Sequence, residues 1–103
     1  MLLAFMDTLL KNEIKRFLKK NHRWKAFVKG NKIHLKAASL VNLNITTMEQ
    51  EDVGVFFDVS IVYRLADGKQ KQSYESGLAK VNKDKKVKKV DSEYRQQRQL
   101  WLL

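Results

Sequence analysis

From Val53 to Leu65, apolar side chains occupy every second position: Val53, Val55, Phe57, Val59, Ile61, Tyr63 and Leu65. Side chains alternate faces along an extended chain, so this spacing predicts a strand with one apolar face. Asp58, Ser60 and Arg64 fall on the other face, with Phe56 and Val62 as exceptions. Asp67-Gly68 follows, a residue pair suited to a two-residue type I′ turn. A turn of that length pairs Ala66 with Lys69. It then sets Ile61 opposite Tyr74, Phe57 opposite Leu78, Phe56 opposite Ala79 and Ser60 opposite Glu75. In this register Tyr74 points inward, and a strand over 69–81 completes the hairpin. Ser76-Gly77 is a candidate bulge.

Before the hairpin, Leu3, Met6, Leu9, Leu10, Ile14, Phe17 and Leu18 recur at spacings of three and four. That period predicts an amphipathic helix over residues 2 to about 20. Lys11, Lys15 and Lys19 form an i, i+4 row opposite, and Asn21-His22 is a stop signal. The Leu-rich start has no basic region before it and is interrupted by Asp7, so it reads as helix rather than as a leader. Trp24–Val28 fits either a short strand or a continuation of the helix. Gly30-Asn31 marks a turn. Ile33, Leu35, Ala37, Ser39, Val41, Leu43 and Ile45 alternate again, which predicts a strand over 33–45 with one buried face. Thr46–Asp52 reads as a polar connection. After the hairpin, Asn82–Lys86 is a turn, and Val87–Val90 is a short edge strand whose lysines discourage intermolecular pairing. Asp91–Leu103 is a short helix or a last strand. The fold class is α+β: an N-terminal amphipathic helix on a curved antiparallel meander of about four strands, in a single domain spanning 1–103.

Composition narrows the chemistry. The chain of 103 residues has no Cys, which excludes disulfides and thiolate metal sites. Its 21 Lys and Arg stand against 11 Asp and Glu, a net charge of +10. Such a balance favours an anionic partner: nucleic acid, an anionic membrane surface or an acidic protein. No apolar run is long enough to span a membrane, and with no leader the chain is expected in the cytoplasm.

No catalytic constellation stands out. His22 and His34 sit on different predicted elements and make no metal-ligand spacing. No glycine-rich phosphate loop or Gly-x-Ser-x-Gly occurs. In the expected register Asp58 and Glu75 are diagonal neighbours on the outer face, with Lys71 and Lys80 close enough to neutralise them. They read as solvated charges rather than as an acid–base pair. The chain is therefore expected not to be an enzyme, with no cofactor, no metal and no small-molecule substrate.

The basic residues fall in two stretches. One is the helix with its following loop: Lys11, Lys15, Arg16, Lys19, Lys20, Arg23, Lys25, Lys29 and Lys32. The other is Lys80, Lys83, Lys85, Lys86, Lys88 and Lys89. Lysine predominates, which suits diffuse phosphate attraction better than base reading. The residues expected to hold nucleic acid are Lys11, Lys15, Arg16, Lys19, Lys20, Arg23, Lys25, Lys36, Arg64, Lys83, Lys85, Lys86 and Lys88. The open sheet face is expected to carry His34, Lys36, Leu40, Asn42, Asn44, Phe56, Val62 and Arg64, with Phe56 its one exposed aromatic.

One helix followed by long antiparallel strands resembles the cystatin-like and NTF2-like α+β rolls in element order over roughly residues 2–90. The cystatin-like version is the better match, because NTF2-like domains carry more helix before the sheet. The cystatin Gln-x-Val-x-Gly loop is absent, so protease inhibition is not implied. The resemblance implies binding and assembly more often than chemistry. The leading expectation is a small non-enzymatic module that binds nucleic acid without sequence specificity. The alternative is an interaction or assembly subunit that meets an acidic protein, or self-associates through the open sheet face or the Leu100–Leu103 tail. An enzyme or small-ligand carrier using a pocket between helix and curved sheet is a third.

Overall fold

In a computed structural model, residues 2–28 and 35–91 are described, with side chains from Asp7 onward. The side-chain readings for Leu3 and Met6, and all readings for Lys29–His34 and for the 92–103 tail, lie outside what is described. The described elements are α1 (Leu2–Lys19), a single 3-10 turn (Lys20–His22), α2 (Trp24–Val28), β1 (Ser39–Glu51), β2 (Gly54–Arg64), β3 (Gln70–Val81) and β4 (Val87–Asp91). The strands form one antiparallel sheet in the order β1-β2-β3-β4, with the helices packed on one face. This is the α+β arrangement that the hydrophobic pattern predicts.

The helix layer follows from local residue choice. Leu10, Ile14 and Leu18 are buried one turn apart along α1, and Phe17 packs beside them. The helix ends where Asn21 and His22 take left-handed conformations, with φ of 57° and 56°. Asn tolerates that region better than most residues, which suits it to end a helix. The chain resumes as α2, resolving the ambiguity over Trp24–Val28 in favour of helix. This turn aims Trp24 and Phe27 at the sheet: Trp24 stacks 5.8 Å from Tyr63, and Phe27 lies 6.1 Å from Phe57.

The β2–β3 turn differs from the sequence expectation by one residue. The Gly68 N–H donates to Leu65 O, and the Leu65 N–H donates to Lys69 O, both at 2.9 Å. The loop is therefore Ala66-Asp67-Gly68, with Gly68 left-handed at φ 86° and Asp67 Oδ1 accepting from the Lys69 N–H. This is the three-residue hairpin, a type I turn closed by a left-handed glycine. Ile61 now faces Ser73, Val59 faces Glu75, Phe57 faces Gly77, Phe56 faces Leu78 and Ser60 faces Tyr74. Because side chains alternate with a period of two, the shift turns every β3 residue over. Tyr74, expected inside, is 65% exposed on the open face. Pairing continues unbroken through Ser76 and Gly77, so the expected bulge is absent. Gly77 instead leaves room for aromatic packing: a Cβ there would lie 3.0 Å from both the Phe27 and Phe57 rings.

β1 is also displaced. It begins at Ser39 and runs through the segment expected to be a connection, so that only Asp52-Val53 joins it to β2. Lys36 lies in the turn before the strand. Two bulges explain why simple alternation misleads. Val41 and Thr46 are each extra residues opposite β2, and each changes the phase. Leu40, expected outward, consequently packs against the core, while Val41 is 44% exposed.

Two substitutions test this register. Gly77→Ala should destabilise the fold by about 1–3 kcal/mol in urea unfolding, because the Cβ overpacks the Phe27–Phe57 pair. Tyr74→Ala should cost less than about 1 kcal/mol, since the ring is exposed. A loss of about 3 kcal/mol or more at Tyr74 would restore the two-residue turn.

Candidate nucleic-acid interface

At about 100° per residue, Lys11 and Lys15 flank one side of the buried α1 stripe, and Glu13 and Arg16 flank the other. The Glu13 side meets the β3–β4 turn. That turn is built by Asn82, whose N–H donates to Lys86 O at 2.9 Å and whose carbonyl accepts from the Lys85 N–H at 3.0 Å. Its side-chain Oδ1 also accepts from the N–H groups of Asp84 and Lys86, both at 2.9 Å. The geometry needs a left-handed residue, and Lys85 supplies it at φ 62°. A non-glycine side chain held there costs roughly 1–2 kcal/mol relative to ordinary backbone.

Helix and turn meet around Glu13. Arg16 Nη2 donates to both Glu13 carboxylate oxygens, at 3.1 and 2.8 Å, and Lys86 Nζ lies 3.9 Å from Oε2. Asn12, Glu13, Arg16, Asp84, Lys85 and Lys86 line a groove of about 270 Å³. Burial pushes the Glu13 carboxyl upward. Arg16, Lys86 and a hydrogen bond from the Val87 backbone together outweigh that effect and leave it below its usual 4.5. Glu13 thus holds together two basic segments far apart in the sequence.

The structure brings only some of the predicted site residues together. Arg16, Lys85 and Lys86 share the groove, and exposed Lys83 lies on the same turn. Lys88 is the extra residue where the β3–β4 pairing shifts. Lys11 and Lys15 line the far flank of α1, with Lys19 and Lys20 exposed at its end. The Arg23 guanidinium lies over the Phe17 ring, 4.8 Å from its centroid, and Lys25 Nζ lies over the Trp24 ring at 5.8 Å, so both charges rest on aromatic faces. Lys36 and Arg64 are exposed at the opposite end of the sheet, where Arg64 pairs with Ser39.

The open sheet face has a different character. Among the described residues, Arg64, Lys80 and Lys89 stand there against Glu49, Glu51, Asp58 and Asp91, so their charges nearly cancel in a chain of net charge +10. Lys80 and Lys89 face each other directly, a juxtaposition of like charges that a bound anion would relieve. The Asp58 carboxylate accepts hydroxyl hydrogen bonds from Thr47 on β1 and Ser76 on β3. Gln72 Nε2 donates to Ser60 Oγ at 3.0 Å. Sequence reasoning missed Tyr74 as a surface aromatic and the Lys80–Lys89 pair, because both depend on strand register.

Asp58 and Glu75 lie on opposite faces of the sheet, correcting their expected placement as diagonal neighbours. Glu75 accepts from Ser73 Oγ at 2.6 Å on the helix side. There, burial foremost and the Glu75 charge second raise the Tyr63 phenol above its ordinary 10.0. Among the described residues, no group of three His, Asp or Glu is placed to hold a metal, and no helix is long and apolar enough to cross a membrane.

Glu13 makes a pH prediction. Its pKa is lower in the folded chain, so the stability it contributes is complete above about pH 4.5 and drains away as pH falls through the folded value. The stability difference between the wild type and Glu13→Gln in urea should be largest at neutral pH and shrink below pH 4.5. A difference independent of pH would contradict the charged contact.

No family model, curated protein or solved structure matches this chain.

Proposed function

We propose that this chain is a small non-enzymatic module that binds nucleic acid through its lysine-rich helix and turn surface, without reading sequence. The observation that carries this reading is the meeting of Arg16 with Lys85 and Lys86 around Glu13. Two basic segments that the sequence separates form one surface, alongside further lysines on α1. Lys85 adds weight. It holds a backbone conformation that Gly or Asn would adopt more easily, so local stability is given up where a charge faces the groove. Strain of this kind concentrates at functional positions.

The chemistry suits phosphate rather than bases. Lysine is a compact, mobile charge that follows a backbone and carries no bidentate pattern for base edges. Affinity would come from counterion release and would fall steeply with salt. An acidic protein would be attracted by the same surface, but only a polyphosphate gives a salt slope that counts its contacts. A cytoplasmic setting and a likeness to cystatin-like rolls fit this reading, and neither carries it.

The test is fluorescence anisotropy of labelled single- and double-stranded oligonucleotides across a salt series. Binding should weaken linearly on logarithmic axes, with similar affinity for unrelated sequences. Replacing Arg16, Lys85 and Lys86 together by Gln should reduce the magnitude of the slope by about two to three, at roughly 0.9 for each phosphate no longer neutralised. No binding at low salt would reject the reading. An unchanged slope in the triple variant would move the interface elsewhere.

A further inference from the structure

We propose that the open sheet face is a self-association surface on which two copies of this chain pack face to face about a two-fold axis near Ser60 and Val62. Leu78 and Ser76 are buried even on this face, so its open part runs from Asp58 towards Arg64. Tyr74 is 65% exposed there and Val41 44%, with Val62 half-buried between them. Ser60 lies opposite the ring and Gln72 and Ser76 lie along β3 on either side, with Val62 diagonal to it; an exposed tyrosine among small and polar side chains suits the centre of an interface.

Two further observations point to a second copy as the occupant. First, this face can be desolvated cheaply. Asp58 is already satisfied by the Thr47 and Ser76 hydroxyls, and Ser60 by Gln72. Polar groups paired within the face lose little when water leaves, whereas unpaired ones cost about 1–3 kcal/mol each. Such groups are poorly available to read a ligand. Second, copies that each carry +10 can approach only through a region that is not itself basic. The open face is that region. Its charges also complement themselves under a two-fold axis. Arg64 lies about 20 Å along β2 from Asp58, so a rotation midway between them sets each Arg64 over the Asp58 end of the other copy. An isologous contact requires such self-complementarity.

The open area is small, roughly 20 Å by 15 Å of strand surface, against about 800 Å² per partner in a standard interface. A reversible dimer with a dissociation constant of tens to hundreds of micromolar is expected. It would leave both helix surfaces outward, so the proposed nucleic-acid sites would face opposite directions and each would stay open to its own strand. The dimer itself does not depend on nucleic-acid binding.

Sedimentation of the full chain from about 10 μM to 1 mM in physiological salt tests this. The wild type should shift from monomer to dimer with rising concentration. Tyr74→Lys should stay monomeric across the range with an unchanged circular dichroism spectrum, because the exposed ring is no part of the core. Arg64→Glu should weaken the dimer several-fold at low salt and less at high salt. A wild type monomeric at 1 mM overturns the proposal and leaves the face to a different protein partner. So does a Tyr74→Lys variant that dimerises normally. Because Tyr74 lies outside the basic groove, a monomer that still binds oligonucleotides defeats the dimer alone. A dimer that binds none defeats only the proposed function.

Discussion

The three-residue turn between β2 and β3 is the constraint on which the rest of the surface depends. Gly68 closes it in a left-handed conformation, and the Leu65 N–H bond to Lys69 O sets where pairing begins. One residue fewer would reverse every side chain of β3. Gly77 would leave the helix side, and Phe27 would lose the space beside Phe57 that its absent Cβ provides. Ser76 would no longer reach Asp58 across the strands. Tyr74 would compete with Trp24 and Tyr63 for the interior. A local backbone choice thereby decides which surface the molecule presents.

The second organising feature is the separation of charge. The helix and the β3–β4 turn hold a concentrated basic surface, knitted by Glu13 to Arg16 and Lys86. The opposite sheet face is nearly neutral, and its polar groups satisfy one another. The two sides of the sheet thus differ in the charge they carry. The basic side attracts anions at a distance, while the neutral side becomes attractive only at close approach. Both sheet edges are blunted as well: β1 by bulges at Val41 and Thr46, β4 by its five-residue length and exposed Lys88 and Lys89. Such edges discourage growth by strand addition.

Much of this was legible in the residues. The period-two run from Val55 to Tyr63 located β2 and its buried face, and the period-3.6 run from Leu10 to Leu18 located the α1 core stripe. Asn21-His22 marked the helix end, and Asn82–Lys86 marked the last turn. The failures share one cause. Asp67-Gly68 serves both a two-residue and a three-residue hairpin, and the difference lies in whether Asp67 bonds ahead to Lys69, which composition does not reveal. The bulges at Val41 and Thr46 likewise carry no residue signature, yet each moves β1 by one phase. Lysine clusters were visible as runs. Their convergence on Glu13 was not, because it depends on how α1 lies against a turn formed about seventy residues later.

The most direct test of a basic side distinct from a neutral one is an amide NMR titration of the full chain with a short single-stranded oligonucleotide at low salt. The shifts should concentrate on residues 11–19 of α1 with Lys20 after it, and on 83–88 of the β3–β4 turn and the start of β4. Asn44, Ser60, Gln72 and Tyr74 should stay still. Shifts centred instead on Tyr74 and its sheet neighbours, with the Glu13 groove unmoved, would contradict the account.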